Sequence, residues 1–192
     1  VAGGWQLWVH RPQACVFAPI AGVPGWRQMT FDGVTSPGSG PSGAALLGLD
    51  GSDDEPERLP LASLCPVLFP KAPAGRVPVA VFSDFYCPYC RVLIEHLGAR
   101  DDPRISLHWH ELPLLGPVSV VAAKAAVAAD RQGAYLAFQR RLFATQFRPS
   151  TRFLAEVAAS EGLDGARLIA DMEAPETIHS LAASRAASRT VG

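Results

Sequence analysis

The sequence lacks an excess of charge of either sign. Its 17 lysine and arginine residues are balanced by 18 aspartate and glutamate residues, which leaves a formal net charge of −1. Because nucleic-acid-binding domains usually carry a basic patch, this balance gives no indication of a nucleic-acid partner. Long apolar runs are also missing, so no segment has the length that spans a bilayer. Hydrophobic residues still make up 48% of the 192 residues, which is typical of a globular domain with its own core.

The start of the chain carries no recognisable targeting segment. The sequence begins at Val1 rather than Met, and no positively charged start is followed by an apolar stretch. A signal or anchor was removed, omitted or never present, and the sequence leaves open whether a membrane anchor precedes Val1.

Cysteine is scarce, but two of the four cysteines form a closely spaced pair. Cys87 and Cys90 enclose a Pro-Tyr dipeptide, and they follow an apolar run at 77–82 that predicts a β-strand. The pair opens a helical pattern that reaches about Leu97, and 105–112 predicts a second strand. Since C-x-x-C beside a βαβ pattern is typical of thiol redox centres, disulfide exchange is the leading hypothesis.

The position of the pair predicts different roles for its two thiols. Cys87 lies at the predicted helix N-terminus, where unpaired N–H groups and the helix dipole favour a thiolate, so it is the predicted nucleophile. Pro88 suits the first turn, where its missing N–H is harmless. Cys90 lies one turn further on the same face and is the predicted resolving thiol, which attacks the mixed disulfide formed at Cys87.

Two neighbours of the pair are candidate supporting residues. Asp84 follows the predicted strand, where it is either a carboxylate that relays protons to Cys90 or an ordinary polar strand end. Tyr89 lies between the cysteines and either tunes the redox potential or contacts a substrate.

A metal site is the competing interpretation of the cysteine pair. Structural zinc usually takes a second pair of ligands, and His108 and His110 share one face of the second predicted strand. The chain contains no second C-x-x-C, so zinc is the weaker alternative, and neither a metal nor another cofactor is predicted.

The remaining cysteines form a candidate structural disulfide. A bridge between Cys15 and Cys65 would close a long loop and stabilise the fold by roughly 4 kcal/mol in the chain-entropy model. Two separate buried thiols are the alternative, because the sequence does not give the distance between them.

The chain divides into three predicted regions. Residues 1–76 are predicted to be an irregular N-terminal extension with a flexible, glycine- and serine-rich loop at 33–58. Residues 77–116 are the predicted βαβ unit, and residues 117–189 are predicted to be helical.

Periodicity and capping residues predict further elements within these regions. The N-terminal region contains a predicted strand near 26–31 and a predicted helix within 59–69. Further helices are predicted at 119–131 and 134–143. Three more are predicted to begin after Ser150 or Thr151, after Asp164, and at Pro175.

Two separate segments carry a resemblance to a known family. The first, at 82–91, reads Phe-Ser-Asp-Phe-Tyr-Cys-Pro-Tyr-Cys-Arg. The second begins with Leu-Pro-Leu-Leu-Gly-Pro-Val-Ser at 112–119 and continues through alanine pairs to Tyr135 and Phe138. Both resemble segments of the DsbA-like thiol:disulfide oxidoreductases of the thioredoxin superfamily, and the resemblance covers the chain from about residue 77 onward.

This resemblance implies a thioredoxin-like α/β fold with an inserted helical domain, and an enzyme that exchanges disulfides in proteins. It also implies protein substrates with thiols or disulfides, a redox partner protein, and a periplasmic or otherwise exported location in a bacterium. Oxidation, reduction and isomerisation share the same steps, so the direction stays open.

The family also carries a cis-proline loop, usually within Gly-Thr-Pro, that packs against the cysteine pair. Because the sequence reaches Gly192 before such a segment, we expect the fold to be truncated at its C-terminus. The alternative function is a non-catalytic binding module of the same fold, which would use the surface around Trp109 and the N-terminal aromatic residues.

Overall fold

A computed structural model describes residues 16–30, 58–98, 102–144 and 149–192 of the protein. Within these ranges the chain forms the following strands and helices. The strands are β1 (Val16–Pro19), β2 (Arg27–Thr30), β3 (Val77–Ser83) and β4 (Ile105–Glu111). The helices are α1 (Leu61–Leu68), α2 (Pro88–Gly98), α3 (Pro117–Asp130), α4 (Tyr135–Phe143), α5 (Thr151–Ser160), α6 (Gly165–Asp171) and α7 (Pro175–Val191).

The parallel strands β3 and β4, connected through α2, form the βαβ unit. Their register runs from Val77 opposite Ile105 to Ser83 opposite Glu111. Parallel strands need a crossover connection, and α2 provides it. The carboxyl ends of both strands therefore meet at one edge, where the cysteine pair begins α2. The predicted βαβ unit and its parallel pairing are confirmed.

Capping side chains and a proline begin three of the later helices. Ser150 Oγ accepts the backbone N–H of Phe153 at 3.2 Å and caps α5. Asp164 Oδ1 accepts the backbone N–H of Arg167 at 2.9 Å and caps α6. Pro175 occupies the first turn of α7, where no N–H is needed. The sequence predicts these starts, and of its two candidates for the cap of α5 the structure selects Ser150.

The helices α3 to α6 pack around one alanine-rich core. Ala125 and Ala126 of α3 are fully buried, and their small side chains let the neighbouring helices approach closely. Phe138, Leu154 and Leu168 come from the three following helices and fill this core without any exposed surface. The packing fixes the position of α4, which reaches the edge of the sheet where the cysteine pair begins α2.

The two faces of the β3–β4 pair contact different helices, because alternate residues of a strand point to opposite sides. Val81 and Trp109 pack with Leu97 of α2 on one face. Phe82 packs with Leu64 of α1 on the other face. The sheet therefore lies between α1 and α2.

The N-terminal region contains a strand that the sequence does not predict. β1 pairs with β2 in an antiparallel hairpin, whereas the sequence indicates only the strand near 26–31, which β2 confirms. β1 has four residues, ends in Pro19 and exposes 53% of Phe17. It therefore lacks the buried alternation by which a strand is recognised. The predicted helix within 59–69 is confirmed by α1.

Several predictions about the extension and the outer regions stay predictions. The flexible loop at 33–58 lies almost wholly outside the described residues, and the division into 1–76, 77–116 and 117–189 is not tested by the observed elements. In the ranges that the structure describes, no helix combines the length and the hydropathy that crossing a membrane requires.

Candidate active site

Cys87 is the N-cap residue of α2. The backbone N–H of Cys90 points to Cys87 Sγ at 3.4 Å, in the place where a serine or aspartate oxygen accepts in an ordinary N-cap. Pro88 is the first helical residue, so its missing N–H leaves no donor unpaired. Both cysteines are free thiols and partly exposed. A thiolate at Cys87 receives this hydrogen bond and faces the positive end of the helix dipole.

Cys90 has a different electrostatic environment. Burial is the largest cause that raises the pKa of the Cys90 thiol to about 12. The hydrogen bond to Cys87 and the charges of Cys87 and Asp84 also raise this pKa, whereas a backbone hydrogen bond from Asp84 lowers it in part. Cys90 is therefore a protonated thiol at neutral pH, and the two sulfurs of the pair are chemically distinct.

Asp84 joins the active-site turn to the segment after β4. Its side chain is buried, and Oδ2 accepts the backbone N–H groups of Leu114 at 2.7 Å and Leu115 at 3.0 Å. Oδ1 accepts the backbone N–H of Tyr86 at 2.7 Å and the hydroxyl of Ser119 at 2.8 Å. Four donors meet at one carboxyl group, so this side chain organises the loop beside the cysteine pair.

Gly116 allows the segment after β4 to turn into α3. Its φ of 98° lies in the region that glycine adopts without strain, and Pro117 begins α3 immediately afterwards. This turn leads the chain from the N–H groups of Leu114 and Leu115 to the hydroxyl of Ser119, so that all three reach one carboxylate.

Phe85 anchors the active-site turn to the helical core. Its ring stacks on Phe143 of α4 with the centroids 4.6 Å apart and the planes at 30°. Such aromatic pairs contribute about 0.5–1.5 kcal/mol beyond their buried area. The turn before Cys87 is thus held both by the carboxylate of Asp84 and by this ring contact.

A second buried carboxyl group, that of Glu111, lies at the end of β4. The Tyr135 hydroxyl donates to Glu111 Oε1 at 2.5 Å, and Gln139 Nε2 donates to the Tyr135 oxygen at 2.9 Å. Among the described residues, Glu111 Oε2 has no hydrogen-bond partner. Burial raises the pKa of Glu111 from 4.5 to about 8; the Tyr135 hydrogen bond opposes this rise, and the charge of Asp84 adds to it.

Glu111, Tyr135 and Ser119 are residues of the site that sequence reasoning missed. A signal for Glu111 exists, because an acidic residue at the end of the second parallel strand shares an edge with Asp84, which follows the first. Tyr135 and Ser119 lie 24 and 35 residues from the carboxyl groups that they contact. No local pattern in the sequence indicates such distant pairs.

The histidines considered as zinc ligands have other contacts. His110 Nε2 lies 3.0 Å from the carbonyl oxygen of Leu68, and His108 Nε2 lies 3.0 Å from Ser106 Oγ. Across the described part of the chain, no three or more histidine, cysteine, aspartate or glutamate side chains are grouped so that they could hold a metal ion. The zinc alternative gains no support from this geometry.

The predicted bridge between Cys15 and Cys65 stays a prediction. Cys65 lies exposed on α1 as a free thiol, and Cys15 lies outside the described residues. The structure therefore places one partner of the proposed bridge at the surface, whereas Leu64 and Leu68 of the same helix are buried.

Aromatic and apolar side chains lie exposed beside the cysteine pair. Tyr89 exposes 59% of its surface, and Leu115 exposes 51%. Tyr86 and Leu114 are also exposed, and both donate a backbone N–H to the carboxylate of Asp84. An exposed apolar surface next to a cysteine pair is suited to contact with a protein segment.

A parallel βαβ unit with a cysteine pair at the start of its helix, followed by a helix-rich region, defines a thioredoxin-like protein. The model of the DSBA-like thioredoxin domain family matches residues 78–192. The chain belongs to this family, whose members are thiol:disulfide oxidoreductases. The predicted DsbA-like fold and the class of enzyme are thereby confirmed.

Solved structures share this fold. A thioredoxin-like oxidoreductase from Silicibacter pomeroyi DSS-3 is 35% identical, with 65% of this chain and 77% of that chain covered and a TM-score of 0.58. The thiol-disulfide exchange protein alpha-DsbA2 from Wolbachia pipientis (19% identity, 69% and 77% covered, TM-score 0.61) shares the fold. So does the catalytic domain of Proteus mirabilis ScsC (22% identity, 69% and 78% covered, TM-score 0.56). A search of curated proteins gives no significant match.

Proposed function

We propose that this protein exchanges disulfides in other proteins, with Cys87 as the nucleophile and Cys90 as the resolving thiol. The observation that carries the proposal is the asymmetry of the pair. Cys87 Sγ lies at the N-cap of α2 and accepts the N–H of Cys90, whereas burial raises the pKa of Cys90 to about 12. A backbone N–H group thus points at the sulfur of Cys87, while Cys90 stays protonated until it attacks the mixed disulfide.

In the reducing direction, the Cys87 thiolate attacks one sulfur of a substrate disulfide. The substrate S–S bond breaks, the departing sulfur leaves as a thiolate that takes a proton from solvent, and Cys87 is joined to the other sulfur in a mixed disulfide. Cys90 then loses its proton and attacks Cys87 Sγ. This step forms the Cys87–Cys90 disulfide and releases the second substrate thiolate, so two electrons pass to the substrate. Oxidation of a substrate dithiol runs through the same steps in reverse.

The surface around the pair supports protein substrates rather than small thiols. Tyr89 lies between the two cysteines, and Leu115 lies on the loop that is bound to Asp84. Both side chains are more than half exposed. A second protein that reoxidises or reduces the pair completes the cycle, as in the family.

The proposal includes a periplasmic or otherwise exported location. Protein disulfides persist in oxidising compartments, and one structurally similar protein, from Salmonella enterica serovar Typhimurium, is a periplasmic thioredoxin-like protein. Fractionation of cells that express the tagged, naturally encoded protein tests this location, and recovery from the cytoplasm alone would contradict it.

Alkylation and insulin reduction test the assigned roles. We expect Cys87 to alkylate quickly and Cys90 slowly at neutral pH, and both Cys87→Ser and Cys90→Ser to lose insulin reduction. The matched control is Glu95→Gln, which changes a side chain that is 66% exposed on α2 and should keep full activity. Equal, slow labelling of Cys87 and Cys90 would contradict the nucleophile assignment. A parent protein without activity would favour the binding-module alternative.

A further inference from the structure

The side chain of Arg91 lies on the same face of α2 as Cys87. The backbone N–H of Arg91 donates to the carbonyl oxygen of Cys87 at 3.3 Å, which is the four-residue hydrogen bond of an α-helix. Residues four apart are neighbours on one face of a helix, with about 5–6 Å between their Cβ atoms. The structure therefore places a guanidinium group one turn from the sulfur of Cys87.

Arg91 covers the turn of the helix in which the cysteine pair lies. The Cα–Cβ bonds of a helix tilt toward its N-terminus, so a long side chain extends over the preceding turn. The side chain of Arg91 is 49% exposed, and it is the single arginine or lysine of α2. Tyr89, which is also exposed, brings no charge to this surface. Recognition of an anionic group on this face of α2 therefore depends on Arg91.

The ion pair of Arg91 with Glu95 leaves the guanidinium group available. The pair has a contact of 3.4 Å between Arg91 Nε and Glu95 Oε1, and the Glu95 side chain is 66% exposed. Exposed pairs within one helix contribute little to stability. A guanidinium group also has five N–H donors, so Arg91 can bind a second carboxylate from outside the protein.

We propose that Arg91 is a specificity-determining residue that favours protein substrates with an acidic side chain two positions from the reactive cysteine. In an extended segment, side chains two positions apart point to the same side and lie about 6–7 Å apart. This spacing is comparable to that between Cys87 and Arg91 along α2. A substrate carboxylate can thus meet the guanidinium group while the neighbouring cysteine is joined to Cys87. The inference deepens the proposed function and rests on it, because the contact forms in the mixed disulfide.

The expected preference is local and modest. The formal net charge of the protein is −1, so the protein as a whole does not attract acidic substrates. An exposed ion pair of this kind accelerates the reaction about twofold to fivefold. The effect should decrease with salt, because the Debye length falls from about 10 Å at 0.1 M to about 3 Å at 1 M.

Self-quenched peptide disulfides measure this preference. Each is a disulfide-linked dimer of one short peptide that carries a fluorophore and a single cysteine. The peptides differ only at the positions two before and two after the cysteine, which are both Asp, both Asn or both Lys. In a single turnover at about pH 7, where Asp is ionised, excess reduced protein attacks with Cys87. Cys90 then closes the protein disulfide, and two fluorescent peptide thiols are released.

Rate ratios separate recognition from the reactivity of the cysteine pair. Each rate is divided by the rate at which dithiothreitol reduces the same peptide, which corrects for the intrinsic reactivity of the peptide disulfide. The corrected rate for the Asp peptide is then divided by that for the Asn peptide. A change in the reactivity of Cys87 cancels in this ratio, whereas a contact with the acidic side chain does not.

We expect a ratio of about two to five for the parent protein in dilute buffer, and a Lys peptide that reacts more slowly than the Asn peptide. Arg91→Gln should bring the ratio to about one, whereas Arg91→Lys should keep a preference because it keeps the charge. The ratio for the parent should approach one at about 1 M salt.

The matched control is Arg152→Gln. Arg152 forms the same kind of pair, with Glu156 four residues further along α5 at 2.9 Å, and its side chain is 89% exposed. It lies on a helix of the alanine-rich core rather than on α2. This variant should keep the ratio of the parent.

A ratio of one in the parent, or a ratio that survives in Arg91→Gln, would overturn this inference while leaving the proposed function intact. Equal slowing of all three peptides in Arg91→Gln would overturn it as well, because Arg91 would then act on the cysteine pair itself. So would a lost preference in Arg91→Lys or in Arg152→Gln. A parent protein that reduces none of the peptides would instead contradict the proposed function.

Discussion

Asp84 Oδ2 accepts the backbone N–H of Leu114 at 2.7 Å, across 30 residues of sequence. The bond connects the turn before the cysteine pair to the segment that leads from β4 into α3. Leu115 and Ser119 donate to the same carboxylate, so one buried side chain holds both segments in register. The sequence leaves open whether Asp84 is a proton relay or an ordinary strand end, and the relay role stays a prediction. The hydrogen bonds of Asp84 anchor the turn beside the cysteine pair.

We expect Asp84→Ala to destabilise the protein by about 3 kcal/mol or more. The substitution removes the acceptor of four donors and leaves buried N–H groups without a partner. Urea unfolding measures the loss, and hydrogen exchange at the amides of Leu114 and Leu115 should become faster.

The matched control for this prediction is Asp102→Ala. Asp102 also accepts backbone and side-chain hydrogen bonds, from Arg104, but the pair is exposed. Surface pairs contribute little to stability, so this variant should unfold near the parent. Equal effects of the two substitutions would contradict the anchoring role of Asp84.

The sequence predicts the parts of this fold that follow from local chemistry. Residue type and spacing indicate three of these features: the cysteine pair at the start of α2, the N-cap Ser150 of α5, and the proline that begins α7. The contacts of Tyr135 with Glu111 and of Ser119 with Asp84 depend on how α3 and α4 pack onto the sheet. They are properties of the tertiary arrangement, and the missed strand β1 exists only through its pairing with β2.

We expect Cys87→Ser to lower the pKa of Cys90 without restoring its ordinary value. The hydrogen bond and the charge of Cys87 both raise the pKa of Cys90, so their removal lowers it. Burial, the largest cause, remains, and the value should stay above the ordinary thiol pKa of about 8.5. Ultraviolet absorbance of the thiolate against pH measures it, and a Cys90 pKa at or below the ordinary value would show that burial is not the main cause.

The helix α4 should be sensitive to substitution at the buried Phe138 and tolerant at the exposed Leu136, two residues away. Phe138 has no exposed surface, so Phe138→Ala should destabilise the protein by about 3–5 kcal/mol through lost burial and a cavity. Leu136 lies on the same helix with 49% of its surface exposed, and Leu136→Ala should lose less than about 1 kcal/mol. Comparable losses in thermal unfolding would mean that α4 does not pack as described.

The stability of the protein should fall as pH rises through the range in which Glu111 loses its proton. Its folded pKa of about 8 lies above the ordinary 4.5, so between these values the folded state binds the proton that the unfolded state has released. The stabilising effect of protonated Glu111 is therefore complete below about pH 4.5 and is lost by about pH 8, with a slope of at most about 1.4 kcal/mol per pH unit. Glu111→Gln, which cannot ionise, should reduce this slope in urea unfolding at a series of pH values. An unchanged slope would show that Glu111 does not carry a proton in the folded protein, because no other change in the variant acts with this pH dependence.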